Sequence, residues 1–446
     1  MAASRGEFSS RMGFILAAAG SAVGLGNIWG FPSQVAANGG AAFVLVYLLL
    51  AFLIAYPVLM TELAIGRFAK ANTLAALEKL SRGPISRRAS YLFGYLGVVV
   101  AGLILSFYGV IAGLMLGQCL ESLLSLFGIE TGLLSGTGAS TFFTLLFMAL
   151  TFAIVMRGVS SGIEAWSRRL MPMLIVLLLL LIAIVVSQAG AQQGLKAYLL
   201  PDFSKIWQGD LLLSAMGQVF FSLSLGVGTM LIYGSYVKQK ESLPKLGAWV
   251  TLVDVAIAFL AGLLIIPAMY VAMNNGVQIY DSQGELLASS QLVFVVLPEL
   301  FASLGVFGIV LSSLFFAMLV LASLTSSISM LEVPVATLSE QSGCSRRQAA
   351  ILSLLVIASV SLLLIWQGDV LFGLAVSAST EFGQPLMGLV FCIYLGWLWQ
   401  RHLLLSELQK GSPNIANSAF WRCWPNYVKY VCPLIILTIF FSSIAA

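Results

Sequence analysis

AAAGSAVGLGNIWGFP, residues 17–32, is the stretch whose reading decides the fold. Within an apolar run it places Gly20, Gly24 and Gly26 beside polar Ser21 and Asn27, and it ends on Pro32. MGQVFFSLSLGVGTM, residues 216–230, repeats this chemistry with Gly217, Gly226 and Gly228 among Ser222 and Ser224. Glycine weakens a helix and tolerates backbone that is not helical. Inside hydrocarbon, unwound backbone survives only where protein encloses it, because no water is there to satisfy the freed peptide groups. Close packing of neighbouring helices on small residues is the plainer reading of the glycines alone. The interleaved polar side chains, which lipid-facing helices avoid, favour two breaks instead.

The rest of the chain supplies the membrane. Of its 446 residues, 60% are hydrophobic and 9% charged, against about 25% charged in a soluble domain. Its mean hydropathy is +1.00. Apolar segments near 12–35, 41–69, 89–124, 140–156, 170–188, 211–237, 246–273, 305–338, 348–366, 371–399 and 428–444 make eleven candidate spans. Most approach or exceed the roughly 20 residues that cross a bilayer as helix. Solid apolar blocks exclude a membrane β-barrel, whose strands alternate. The expected fold class is therefore an all-α polytopic membrane protein.

Lys and Arg orient it. With the N-terminus in the cytoplasm, only Lys196 and Lys205 of the 22 basic residues fall outside, as the positive-inside rule requires. An odd number of spans then puts the C-terminus on the extracytoplasmic side. Arg5, Glu7 and Arg11 lead into a first span that reads as a permanent helix, not a cleaved signal. The short outer loops hold no Asn-x-Ser/Thr acceptor, which favours a bacterial inner membrane. Residues 274–304 read as an external cap, and the five cysteines suggest no disulfide.

The two broken segments fall in the first and sixth spans, at matching places in consecutive blocks of five. That is the pattern of an inverted-repeat transporter with discontinuous helices at its binding site. Half-helix N-termini offer N–H groups to an anion, and freed carbonyls can bind a cation.

GSAVGLGNIWGFP, NGGAAF, TELAIGR, GQVFFSLSLGVGT and LASLTSSISMLE, in this order, resemble the neurotransmitter:sodium symporter family, in particular its bacterial LeuT-like members with eleven spans. The likeness runs from Arg5 to about residue 400. It implies a LeuT fold. Repeats at 12–188 and 205–399 and an extra helix at 428–444 would form one transporter domain. It implies sodium-driven uptake by alternating access, with two sodium sites and no organic cofactor. The first site would use the Ala22 carbonyl, Asn27, Ser222, Asp254 and the substrate carboxylate. The second would use the carbonyls of Gly20, Val23 and Ala322 with the hydroxyls of Thr325 and Ser326.

The resemblance also assigns the substrate carboxylate to the N–H groups of Leu25 and Gly26 and to Tyr108. The amino group would lie near Phe221, Ser222 and Ser224, with Ile104, Phe221, Val227, Ser326 and Met330 shaping the pocket. Monoamine-transporting relatives carry an acid where this chain has Gly24, so glycine leaves room for an amino acid's own carboxylate. With no charged side chain in the pocket, the expected partner is a neutral, apolar L-amino acid. No nucleic acid is implied.

Asp254 lies within a span, where an ionisable residue is costly and functional by default. Chloride-requiring relatives have Asn there, so Asp254 implies chloride independence. Glu62 resembles the family's buried acid, bonded to first-span backbone; Glu381 has no clear role. Arg5 and Glu340 match the inner gate pair, with Phe8 and Tyr236 beside it, and Gly162 with Pro172 matches a motif for unwinding the fifth span. The outer gate departs from the family, because Gly30 stands where Arg is usual. Val376 and Glu381 are the candidate acidic-partner positions, and closure would rest on Tyr108 and Phe221 packing. A proton-coupled carrier and a non-transporting sensor of the same fold are the alternatives. His402 is the single His, and with scattered Cys no catalytic constellation forms, so an enzyme is not expected.

Overall fold

The structure is a computed structural model that describes residues 6–129, 132, 136–279, 294 and 297–445. Among them, nine helices are long and apolar enough to cross a bilayer, from Ala41–Ala69 to Ala419–Ser442. Arg11–Ala22 and Gly26–Ala37 together make the first span, bent by 56° at its break. The sixth span is Gly209–Ser222 followed by Thr229–Ser235, with 223–228 unwound between them. Each of the eleven apolar segments thus has a helical counterpart. Leu92, Val176, Val356 and Leu434 are each more than 60% exposed, a surface that only lipid tolerates.

The helix limits follow local chemistry. The first span starts at Arg11 because the Ser10 side chain caps it, accepting from the Gly13 N–H at 3.0 Å. The ninth starts at Arg346 behind a Ser345–Gln348 capping box. The fifth begins earlier than its apolar run, with a wide helical turn at Val159–Glu164, because Ser160, Ser161 and Glu164 interrupt the hydropathy there. The eleventh likewise begins at Ala419, where an amphipathic turn precedes the apolar core. Of the expected cap, Leu297–Ser303 is helical, while 280–293 and 295–296 lie outside the described residues.

The broken spans occupy the centre. The first packs against the fifth, seventh and eighth, and the second half of the sixth lies along the second. That last contact is backbone on backbone: a Cβ at Gly66 would meet the Leu231 carbonyl, and one at Gly234 would sit 2.7 Å from the Leu63 carbonyl. Small residues at both positions let the helices close.

Candidate functional site

The first break has an extended residue at its centre. The helix ends at Ala22, Val23 turns extended (φ −68°, ψ 107°), and a wide turn resumes at Gly26–Gly30. In the sixth span Ser224, Gly226 and Gly228 all have positive φ, at 50°, 79° and 83°. Only glycine fits position 226, since a Cβ there would lie 2.0 Å from the Gln384 carbonyl.

Freed backbone groups in hydrocarbon need partners, and side chains supply them. Glu62 Oε1 accepts from the Gly226 N–H at 2.7 Å, Gln384 donates to the Leu225 carbonyl at 3.2 Å, and Gln218 donates to the Gly26 carbonyl at 2.8 Å. The Ser224 hydroxyl ties the breaks together by donating to the Ser21 carbonyl at 3.3 Å. This corrects the expectation for Glu62: its partner is the sixth-span break, not first-span backbone. The reason is that the second span packs along the second half of the sixth.

Two oxygen-rich clusters flank the first break. On one side Asn27 Nδ2 donates to Asp254 Oδ1 at 2.7 Å and to Ser222 Oγ at 2.9 Å. Ser222 Oγ donates to Asp254 Oδ2 at 2.9 Å, and the Tyr47 hydroxyl lies 3.0 Å from Ser222 Oγ. All four side chains are buried. On the other side Ser326 Oγ lies 3.0 Å from the Val23 carbonyl and 3.3 Å from that of Gly20, while Thr325 Oγ1 donates to the Ala322 carbonyl at 2.9 Å. Carbonyl, hydroxyl and carboxylate oxygens suit a hard monovalent cation at unwound backbone. Among the described residues no group of three or more His, Cys, Asp or Glu could hold a metal ion.

Between the clusters lies a small cavity of about 20 Å³, room for roughly one water. It is lined by Ala22, Gly24, Leu25, Gly26, Ile104, Tyr108, Phe221, Ser224, Val227, Ser326 and Met330, with Gln384 in addition. Ser222 stands in the neighbouring Asp254 cluster instead. The Leu25 N–H donates to the Tyr108 hydroxyl at 3.3 Å. A Cβ at Gly24 would sit 2.6 Å from Ser326 Oγ and 2.7 Å from the Tyr108 hydroxyl, so a side chain there displaces both.

The basic face is shut below this cavity. Phe8 packs edge-on to Phe14, Tyr233 and Tyr236 at 5.4, 5.6 and 6.2 Å. The Tyr236 hydroxyl donates to Glu332 Oε1 at 2.6 Å, and Arg346 pairs with the same buried carboxylate while donating to the Val155 carbonyl. Glu340 accepts from the Asn72 backbone and side chain at 2.8 Å; Arg5 lies outside the described residues. Outside the spans, its hydrogen bond with Lys70 holds the Glu7 carboxyl below the usual carboxylate range.

The first and fifth spans meet at Glu164. Its buried carboxylate accepts from Ser9 N and Oγ at 2.6 Å and from Ser10 N and Oγ at 3.3 and 3.1 Å. Gly162 stands in the same wide turn, and Pro172 lies within the continuous helix Ala165–Val186, eight residues beyond Glu164.

On the opposite face, the Gly30 surroundings are filled by the Gln218 side chain. Among the described residues Tyr108 and Phe221 make no ring pair; Trp29, Phe294 and Phe316 form the aromatic contact there, at 6.0 and 6.5 Å. Val376 is apolar and half-buried, and Glu381 is exposed on the outer side of its turn. Tyr108 and Phe221 both line the cavity. Tyr47, Glu164, Gln218, Glu332 and Arg346 were not singled out in the sequence; for Glu164, Gln218 and Glu332 an acid or amide in or beside an apolar block was the one available signal, and Tyr47 and Arg346 carried none.

A family profile described as the sodium:neurotransmitter symporter family matches residues 5–128 and 126–446. A sodium-dependent transporter of Bacillus subtilis, YhdH, is 33% identical, covering 98% of this chain and 97% of the relative. A sodium-dependent transporter of Haemophilus influenzae is 30% identical, over 99% and 98%. Among solved structures, MhsT in complex with L-phenylalanine matches with TM-score 0.83 and 35% identity, over 98% of this chain and all of that one. The chain belongs to the sodium:neurotransmitter symporter family and is a multi-pass, sodium-dependent membrane transporter with a LeuT fold.

Proposed function

We propose that the protein imports a neutral, apolar L-amino acid with sodium by alternating access, independently of chloride. The observation that carries this reading is the cavity at the two breaks: its lining has no charged side chain, and the Asp254 carboxylate is buried beside it. Such a lining matches a zwitterion without help from acidic or basic residues, and the cavity must widen beyond its present volume to admit one. Its carboxylate would meet the Leu25 and Gly26 N–H groups and Tyr108, and its ammonium the polar groups near Phe221 and Ser224. Gly24 leaves the space above Tyr108 free for that carboxylate. MhsT, solved with L-phenylalanine, supports an apolar side chain between Ile104, Val227 and Met330.

Sodium at the Asn27–Ser222–Asp254 cluster would touch the substrate carboxylate directly, so each would raise the other's affinity. A second sodium at Gly20, Val23, Ala322, Thr325 and Ser326 would pin the first half of the first span to the eighth. Asp254 supplies the negative charge within the first cluster, and on that ground no chloride is needed. The basic face, on this reading, is cytoplasmic.

Competition binding over the twenty amino acids, with and without sodium and in chloride-free buffer, tests the proposal. Sodium-dependent binding of Leu, Met, Phe or Trp is expected. Sodium-independent binding, or preference for a charged amino acid, contradicts it.

A further inference from the structure

We propose that the basic face carries a built site for an anionic phospholipid, away from the transport pathway. Its headgroup would sit where the third, tenth and eleventh spans meet, and one acyl chain would lie between the third and the tenth. A cavity of about 250 Å³ there is lined by Arg82, Arg401 and Lys429 together with Trp397, Trp399 and Asn426. Among the described residues none of the three cations pairs with a carboxylate. Arg401 makes one long contact, 3.4 Å to Asn426 Oδ1, and stacks over Trp421 at 5.4 Å. Lys429 stands over Trp397 and Tyr430 at 4.5 and 5.2 Å. Stacking on ring faces leaves their N–H donors free for an anion. Trp399, 5% exposed, adds a buried indole N–H without a partner.

The second observation is continuity. Arg82 also lines a neighbouring groove of about 680 Å³, walled by Ile85, Phe93, Leu386, Leu389 and Leu398. From Leu398 to Leu386 the tenth span rises about 18 Å at 1.5 Å per residue. One hydrocarbon leaflet is about 15 Å deep. A cationic cavity at the mouth and an apolar channel one leaflet long match a single phospholipid, whereas a free anion would need only the cavity. Trp397 and Tyr430, both more than half exposed, mark the interface level. The wall is tightly built: a Cβ at Gly396 would sit 2.8 Å from Lys429 Cα. Arginine and lysine near a membrane surface each favour anionic lipid by about fivefold.

Native mass spectrometry of the delipidated full-length protein in mild detergent tests this. The probes are dioleoyl phosphatidylglycerol, dioleoyl phosphatidylcholine and glycerol 1-phosphate. The first phosphatidylglycerol is expected to bind about tenfold or more tighter than phosphatidylcholine, without competition from glycerol 1-phosphate. Arg82→Ala, Arg401→Ala and Lys429→Ala each weaken it about fivefold, and Leu389→Trp weakens it by filling the groove. Exposed Arg422, outside the cavity, gives a control: Arg422→Ala leaves binding unchanged. An unchanged lipid-free melting midpoint in the variants separates lost binding from lost folding. Equal affinity for the two lipids, or undiminished phosphatidylglycerol binding with all three cations removed, overturns the proposal. Displacement by glycerol 1-phosphate makes it a soluble-anion pocket and overturns the lipid assignment.

Discussion

At the scale of single residues, the candidate site depends on a few atoms that nothing else can replace. Asp254 holds both Asn27 and Ser222, so its charge organises the whole first cluster. Asp254→Asn is expected to weaken sodium-dependent substrate binding about tenfold or more, in line with one charge-assisted contact of about 1.5–3 kcal/mol. Added chloride should restore part of it. Isothermal titration in chloride-free and chloride buffers reads this, and unchanged binding without chloride removes Asp254 from the sodium site. Gly24 is constrained from the other direction. Gly24→Asp would push into Ser326 and Tyr108 and set a carboxylate against the substrate's own, so amino-acid binding should vanish; retained binding would displace the carboxylate from this place. These residues were legible in the sequence because an acid, a glycine or a serine stands out inside an apolar run. Tyr47 was not, since in AAFVLVYLLL an aromatic reads as lipid-facing until Ser222 is seen 3.0 Å away.

At the scale of elements, the account turns on how the first half of the first span is held. Glu164 caps its N-terminus with four hydrogen bonds from Ser9 and Ser10, and the carboxylate also complements the positive end of that helix. Unwinding of the fifth span at Gly162 would carry Glu164 away and release the first. Glu164→Ala is thus expected to speed hydrogen exchange at residues 9–14 about tenfold or more, with no change in the eleventh span. Unaltered exchange there would show that the carboxylate is no latch. Glu332 and Arg346 form a second closure. Arg346→Met leaves a buried carboxylate unpaired and should cost about 3–5 kcal/mol; adding Glu332→Gln should recover most of the melting midpoint. A single variant as stable as the parent contradicts this. The family resemblance points to Gly162 and Pro172 as an expected gate motif, but nothing in the sequence points to the partners of Glu164 and Glu332. The Ser9 and Ser10 partners of Glu164 lie 154–155 positions away, and for Glu332 Tyr236 lies 96 away and Arg346 14 away across a helix end, so packing brings them together. The partner of Glu62 was misread for the same reason.

At the scale of the whole molecule, hydropathy alone marks the spans, each of which has a helical counterpart, and the Lys/Arg distribution proposes their direction. The outer gate was the least legible part, because glycine at position 30 says which side chain is missing but not what replaces it. Direction makes its own prediction. Cys423 is exposed on the basic face, beside Arg422 and near Lys429. A membrane-impermeant maleimide should label it only after permeabilisation, while a cysteine replacing Lys196 should label in intact cells. The opposite pattern would invert the topology.

Flux into sealed vesicles tests the central claim most directly. Proteoliposomes containing the purified protein, loaded with potassium and diluted into chloride-free sodium gluconate, should accumulate radiolabelled L-phenylalanine or L-leucine above its external concentration. Collapse of the sodium gradient should abolish the accumulation, and an imposed pH gradient should not replace it. Accumulation driven by protons without sodium, or sodium-dependent binding with no flux, would contradict the account.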